Sequence, residues 1–145
     1  MIKTVSLFAG CGGLDLGFEK AGFDVIWDND NNKKVKETYN RNHKKTKLVI
    51  KSILGIKPEE IPECDVIIGG PQCQSWSAAG AGKGKEDSRG QLFYDYIRLI
   101  EAKKPKAFVA ENVKGIVPKR HVESFKEIVS LFNKAGYDVI CKVLN

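Results

Sequence analysis

The stretch IKTVSLFAGCGGLDLGF, Ile2 to Phe18, decides the fold. Ile2 to Phe8 alternates and then turns apolar, as a strand does on entering a core, and it runs into the glycine-rich turn Ala9-Gly10-Cys11-Gly12-Gly13. Beyond the turn, Leu14, Leu16, Phe18 and Ala21 read as the apolar side of a short amphipathic helix that Gly22 stops. The rest of the chain repeats this alternation. Phe23 to Trp27 reads as a second strand, Lys33 to Tyr39 as a helix, and Lys47 to Ile53 as a third strand. Cys64 to Gly69 is a fourth, with a continuous apolar run that suits burial on both faces of a parallel sheet. A loop from Ser75 to Arg89 follows. Helical spacing then runs through Leu92, Tyr96, Leu99 and Ile100 between Gln91 and Lys103. Lys106 to Val113 reads as the fifth strand, His121 to Ala135 as a helix, and Tyr137 to Leu144 as a last strand. With short connections and right-handed crossovers, the economical arrangement is α/β: an open, doubly wound, mainly parallel sheet.

The length fits one domain over residues 1–145, enough to bury about two thirds of the extended-chain surface. No apolar run approaches the ~20 residues of a membrane span, and Met1 to Gly10 carries no signal-cleavage pattern, so a cytoplasmic protein without a membrane partner is expected. The four cysteines form no C-x-x-C pair and His43 and His121 stand far apart, which argues against a metal site or a disulfide framework. Free thiols are the simpler reading. The net charge of +6 leans toward a polyanionic partner, with basic residues clustered at Lys33, Lys34, Lys36, Arg41, Lys44, Lys45 and Lys47, then at Lys83, Lys85 and Arg89. A solvated lysine-rich face accounts for the same clusters, and composition alone leaves both readings open.

In open parallel sheets, ligands bind beyond the carboxyl ends of the strands, where strand order reverses. The unusual features of this sequence fall at those ends: Phe8 to Gly13 after the first strand, Asp28-Asn29-Asp30 after the second, Pro71-Gln72-Cys73-Gln74 after the fourth and Glu111-Asn112-Val113 at the fifth. The glycines let backbone amides approach a ligand, and an acid closing the second strand suits ribose hydroxyls, so an adenosine-type cofactor is suggested. A tight strand-to-helix turn needs glycine anyway, and Gly10, Gly12 and Gly13 do not follow the dinucleotide pattern G-x-G-x-x-G, which disfavours a nicotinamide enzyme. Cys73 reads either as a buried structural thiol or as a nucleophile. Its polar neighbours Gln72, Gln74 and Ser75 and its place at a strand end favour the latter. Glu111 has no lysine or arginine within two residues, so it is either a partly desolvated proton donor or a solvated carboxylate.

At these positions the chain resembles the cytosine-5 DNA methyltransferases, with the bacterial restriction-modification methylases closest, particularly the Hae III type that recognises GGCC. Phe8 to Gly13 matches the family's F-x-G-x-G-G cofactor motif, Gly70 to Gln74 resembles its P-C-Q turn, "DSRGQLF" resembles the segment after the catalytic loop, and Glu111-Asn112-Val113 matches E-N-V. Even "GYDV" near the end fits. The resemblance implies a Rossmann-like methyltransferase fold, S-adenosylmethionine as cofactor, and double-stranded DNA as partner. It implies that the Cys73 thiolate attacks C6 of a flipped-out cytosine, that Glu111 donates to ring N3, and that Asn112 orients the cysteine loop. By position, Phe8, Gly10, Gly12, Gly13, Leu14, Asp30, Ser52 and Leu92 would surround the cofactor. Gln74 and Ser75 would face DNA, with Lys83, Lys85 and Arg89 meeting phosphates.

Three departures stand out. Gln72 replaces the proline that precedes the cysteine in the family, which loosens the turn and implies reduced or abolished activity. Ser52 stands where relatives usually carry an aspartate toward the adenine amino group, weakening cofactor binding by ~1 kcal/mol, while Asp30 for glutamate is mild. The largest is the absence, after Asn145, of the family's arginine-bearing motif, target-recognition region and closing helix. The implied alternatives are a fragment, a degenerate remnant, or one half of a two-chain enzyme whose second chain supplies recognition. A non-catalytic module that binds cofactor or DNA is the competing reading.

Overall fold

The computed structural model describes residues 1–71, 91–113 and 122–144. Its order is β1 (Ile2–Leu7), α1 (Gly13–Lys20), β2 (Phe23–Asp30), a 3-10 turn (Lys33–Val35), α2 (Lys36–Asn42), β3 (Val49–Ile50), β4 (Val66–Gly69), α3 (Gln91–Lys103), β5 (Ala107–Ala110) and α4 (Val122–Lys134). Two further 3-10 turns, Ile53–Gly55 and Pro58–Glu60, lead from β3 to β4. The strands form one parallel sheet in the order β3-β2-β1-β4-β5. After β3 the chain jumps back across β1, so the direction of winding reverses between β1 and β4. That is the doubly wound, Rossmann-like arrangement with its crevice at the switch point.

The pleat of β1 divides the core. Val5 and Leu7 point to one face and pack, fully buried, with Ile67 of β4, Phe93, Tyr96, Leu99 and Ile100 of α3, and Ile128 and Phe132 of α4. Each such side chain contributes about 1.5–3 kcal/mol by leaving water. Phe108 and Phe132 stack at 4.1 Å, and the Tyr96 hydroxyl donates to the Val109 carbonyl at 2.9 Å. Thr4 and Ser6 point to the other face, also fully buried, beneath α1 and α2. A register shift opposite Thr4 and Val5 skips Ile26, so Asp28 rather than Trp27 shares the face of Ser6.

Two straps hold the connections. Arg98 of α3 donates from Nη2 to the carbonyls of Ile53 and Ile56 at 3.2 and 3.1 Å, and its Nε bonds Asp95 at 2.8 Å. Asn29 donates to the carbonyls of Val49 and Lys51 at 3.0 and 2.7 Å, pinning the short β3 to β2. Cys11, Cys64 and Cys141 are free thiols, and burial pushes that of Cys64 up to about 11. No helix among the described residues is long and apolar enough to cross a membrane.

Two expectations fail. Tyr137 to Leu144 is not a strand: it forms no ladder with the edge strand β5, although the Tyr137 ring packs on Phe108 at 5.2 Å and both segments line a cavity of about 720 Å³. A segment with strand-like residues does not become a strand without a neighbour to bond. In α1 the expected apolar face is not the buried one; Leu16 is 46% exposed and Asp15 is fully buried. Leu14 and Leu16, two residues apart, stand on opposite sides of a helix.

Candidate active site

The turn after β1 is built from unusual backbone. Phe8 adopts φ 56°, a left-handed conformation that a bulky residue holds only when its surroundings enforce it. Here Ala9 N–H donates to the Asn29 carbonyl at 2.9 Å and Gly10 N–H to Asp30 Oδ2 at 2.9 Å. The other Asp30 oxygen accepts from Asn32 N–H at 2.7 Å, so this carboxylate ties the glycine turn to the end of β2. A carboxylate has roughly four acceptor positions, and two remain for a ligand. Beyond Gly10 and Gly13 nothing lies within 4 Å of where a Cβ would stand, so the outer side of the turn is open.

Its inner side is closed. Gly12, at φ 85° and buried, caps α1, and a Cβ there would come within 2.1 Å of the His43 imidazole. His43, at the end of α2, stacks on Tyr39 at 4.4 Å, and its Nδ1 lies 3.3 Å from a Glu19 oxygen. The Tyr39 hydroxyl donates to Asp15 Oδ2 at 2.6 Å and Ser6 Oγ to Asp15 Oδ1 at 2.5 Å. Burial raises Asp15 above the usual carboxylate range, partly offset by these two hydrogen bonds. Asp28, also fully buried, is raised by the same desolvation. Thr46 and Tyr39 are its polar neighbours, yet neither meets its oxygens in hydrogen-bond geometry. Tyr39 has one proton, and it goes to Asp15. This network escapes sequence reading because Ser6, Asp15, Tyr39 and His43 come from three separate elements; the available signal is an acid between two leucines, Leu14 and Leu16, in a short helix.

Across the switch point, β4 and β5 end side by side. Gly69 passes so close to β1 that a Cβ would meet the Leu7 carbonyl at 2.5 Å, which only glycine allows. Glu111 N–H donates to the Gly69 carbonyl at 2.8 Å, and Glu111 Oε2 stands 3.1 Å from the Cβ position of Gly70. The Asn112 side-chain amide donates to the Pro71 carbonyl at 2.8 Å, tying the end of β5 to the start of the cysteine turn. Glu111 is exposed among the described residues. Leu14, Glu111 and Asn112 border the cavity that lies beside β5. Ser52 is exposed at the end of β3, and Leu92 packs against the apolar core from the first turn of α3. Gln72, Cys73, Gln74, Ser75, Lys83, Lys85 and Arg89 lie outside the described residues.

The pattern of the C-5 cytosine-specific DNA methylases matches residues 2–145. The chain belongs to this family. Among individual relatives, it is 54% identical over 144 residues to the type II methyltransferase M.FnuDI of Fusobacterium nucleatum and 51% over 145 residues to the type II methyltransferase M.NgoPII of Neisseria gonorrhoeae. Each match covers 99% of this chain and 42% of the relative. The chain thus spans about two fifths of the length of these curated relatives. Its fold also superposes, at a TM-score of 0.78 and 30% identity, on a crystal structure assigned as a DNA modification methyltransferase encoded within a prophage of E. coli, covering 92% of this chain and 38% of that one. A mutant of Spodoptera frugiperda DNMT2 shares the fold at a TM-score of 0.73 and 21% identity, covering 93% of this chain and 41% of that one. The α/β sheet and the family assignment made from the motifs therefore agree with these comparisons.

Proposed function

We propose that the chain is the cofactor-binding and catalytic part of a DNA (cytosine-5-)-methyltransferase of a restriction-modification system, acting in the cytoplasm on double-stranded DNA. The observation that carries the reading is the bond from Asn112 to the Pro71 carbonyl, beside the contact of Glu111 with Gly70. It ties a carboxylate and the turn leading to Cys73 to one rim, across from the glycine turn. Recognition of a particular sequence, GGCC on the Hae III resemblance, lies in our reading outside residues 1–145, in more of the same polypeptide or in a second chain.

The residues present fit S-adenosylmethionine: an open glycine turn at Gly10 and Gly13, and an Asp30 carboxylate with acceptor capacity left. Phe8, Gly10, Gly12, Gly13, Leu14, Asp30, Ser52 and Leu92 would hold it, and when bound it supplies an electrophilic methyl group. Cys73, as the thiolate, attacks C6 of the flipped cytosine while Glu111 supplies the proton at N3, leaving an enamine whose C5 is nucleophilic. C5 would then be ready for the methyl group that the bound cofactor supplies; loss of the C5 proton to water, return of the N3 proton to Glu111 and expulsion of the Cys73 thiolate would restore the ring. Asn112 holds the cysteine turn in place. Gln74 and Ser75 contact the flipped nucleotide, and Lys83, Lys85 and Arg89 neutralise phosphates.

The test is covalent trapping on 5-fluorocytosine DNA with S-adenosylmethionine, alone and with a C-terminal half taken from a relative. An adduct lost on Cys73→Ala supports the reading. Cofactor binding without an adduct in any pairing overturns it in favour of a non-catalytic binding module. In the same assay Gln72→Pro is expected to raise the rate at least tenfold; an unchanged rate removes the role given to the missing proline.

A further inference from the structure

The whole net charge of the chain resides in one fifteen-residue stretch. Lys33 to Lys47 holds seven of the 24 basic residues and one of the 18 acidic ones, a net +6 equal to that of the chain, so basic and acidic residues balance elsewhere. All seven, Lys33, Lys34, Lys36, Arg41, Lys44, Lys45 and Lys47, are exposed. Elsewhere, Lys51 pairs with Glu60 at 2.8 Å, Arg98 with Asp95, Lys103 with Glu63 and Lys106 with Asp65. Of the seven lysines and arginines in the basic stretch, only Lys45 has an ion pair among the described residues, a loose contact with Asp24 at 3.7 Å. Like charges spaced three and four residues apart on and around a short helix repel one another, so the stretch weakens the fold unless a polyanion neutralises it. A lysine-rich surface kept only for solubility would intersperse acids, as the rest of this chain does.

Position narrows the partner. The stretch starts at the carboxyl rim, three residues beyond Asp30, and α2 carries it back along the sheet toward the start of β3. Tyr39 and His43 turn inward, leaving the cations on the outer surface. In the strand order, β1 separates this flank from β4, whose end leads to Cys73, a lateral step of two strand spacings or about 10 Å.

We infer that Lys33 to Lys47 is a second, sequence-independent phosphate-contacting face, which holds duplex DNA on the flank opposite the catalytic turn. The inference rests on DNA being the substrate. It adds to Lys83, Lys85 and Arg89 a surface that reads charge and not sequence, so its contribution is purely salt-dependent.

Binding of this chain to mixed-sequence duplex DNA is measured against salt for the parent, for Lys33→Gln/Lys34→Gln/Lys36→Gln, for Arg41→Gln/Lys44→Gln/Lys45→Gln/Lys47→Gln, and for all seven changes together. Lys57→Gln/Lys134→Gln/Lys142→Gln is the charge control, and circular dichroism reports folding of each. With about 0.9 lost from the log–log salt slope per phosphate contact removed, the sevenfold variant should flatten the slope by about 3 or more and weaken binding at least tenfold. Each partial variant should show part of both effects, and the control less than a twofold change. Loss matching the control, or no duplex binding by the parent, overturns the inference. So does competition by polyglutamate as strong as by DNA of equal charge, which would assign the face to an acidic protein. Titration with S-adenosylhomocysteine runs in parallel. Intact salt-dependent DNA binding with no cofactor binding would leave this face standing while the proposed function falls.

Discussion

The two sides of β1 bury their residues equally and with opposite chemistry. Toward α3 and α4, Val5 and Leu7 enter an aliphatic and aromatic core; toward α1 and α2, Thr4 and Ser6 enter a layer of Asp15, Asp28, Tyr39 and His43. The apolar side is cohesive and non-directional, so it sets stability while tolerating small shifts. The polar side is directional. Each of its bonds fixes an atom, and through Asp15 and Gly12 those atoms are the first turn of α1 and the glycine turn at the rim. Stability and site geometry are thus assigned to different faces of one strand.

The sharpest separation should come from Phe132→Ala, which opens a hole in the apolar face. It should lower unfolding free energy by about 3–5 kcal/mol in urea while leaving the S-adenosylhomocysteine affinity of the folded chain within twofold. A parallel fall in affinity would mean that the two faces are not separable. Gly12→Ala should act the other way round. Left-handed strain and the clash with His43 should lower stability by about 1–3 kcal/mol and weaken cofactor binding severalfold. Part of this should return in the Gly12→Ala/His43→Ala pair, which calorimetric titration of the double-mutant cycle reads as coupling.

A pH series sharpens the comparison further. Burial raises Asp28, so the fold favours its protonated form. The stability it contributes is present below the ordinary value of 3.8 and lost as pH rises through the raised value. Asp28→Asn should flatten that decline in urea midpoints recorded from acid to neutral pH; an unaltered pH slope would show that Asp28 is not its source. The smallest effect belongs to Ser6→Ala. Removing one donor from Asp15 should lower stability by about 1–2 kcal/mol, read by thermal melts, with loosened cofactor binding and no change in the apolar face.

Much of this architecture was legible in the residues. The helix from Gln91 to Lys103 follows its periodicity to the residue, and the rim motifs sit at strand ends because a parallel sheet directs every carboxyl terminus the same way. The polar layer was not legible, since periodicity marks apolar burial and is silent on carboxylates that find hydroxyl partners nine and 24 residues away. The last strand was overread because strand propensity says nothing of whether a neighbour waits.

Arg98 crosses from α3 to the carbonyls of Ile53 and Ile56, joining the half of the sheet wound before the reversal to the half wound after it. Its guanidinium fastens the connection that leaves β3 to the helix that follows β4. Any shift of that connection against α3 costs these two charge-assisted hydrogen bonds before it can reach the rim.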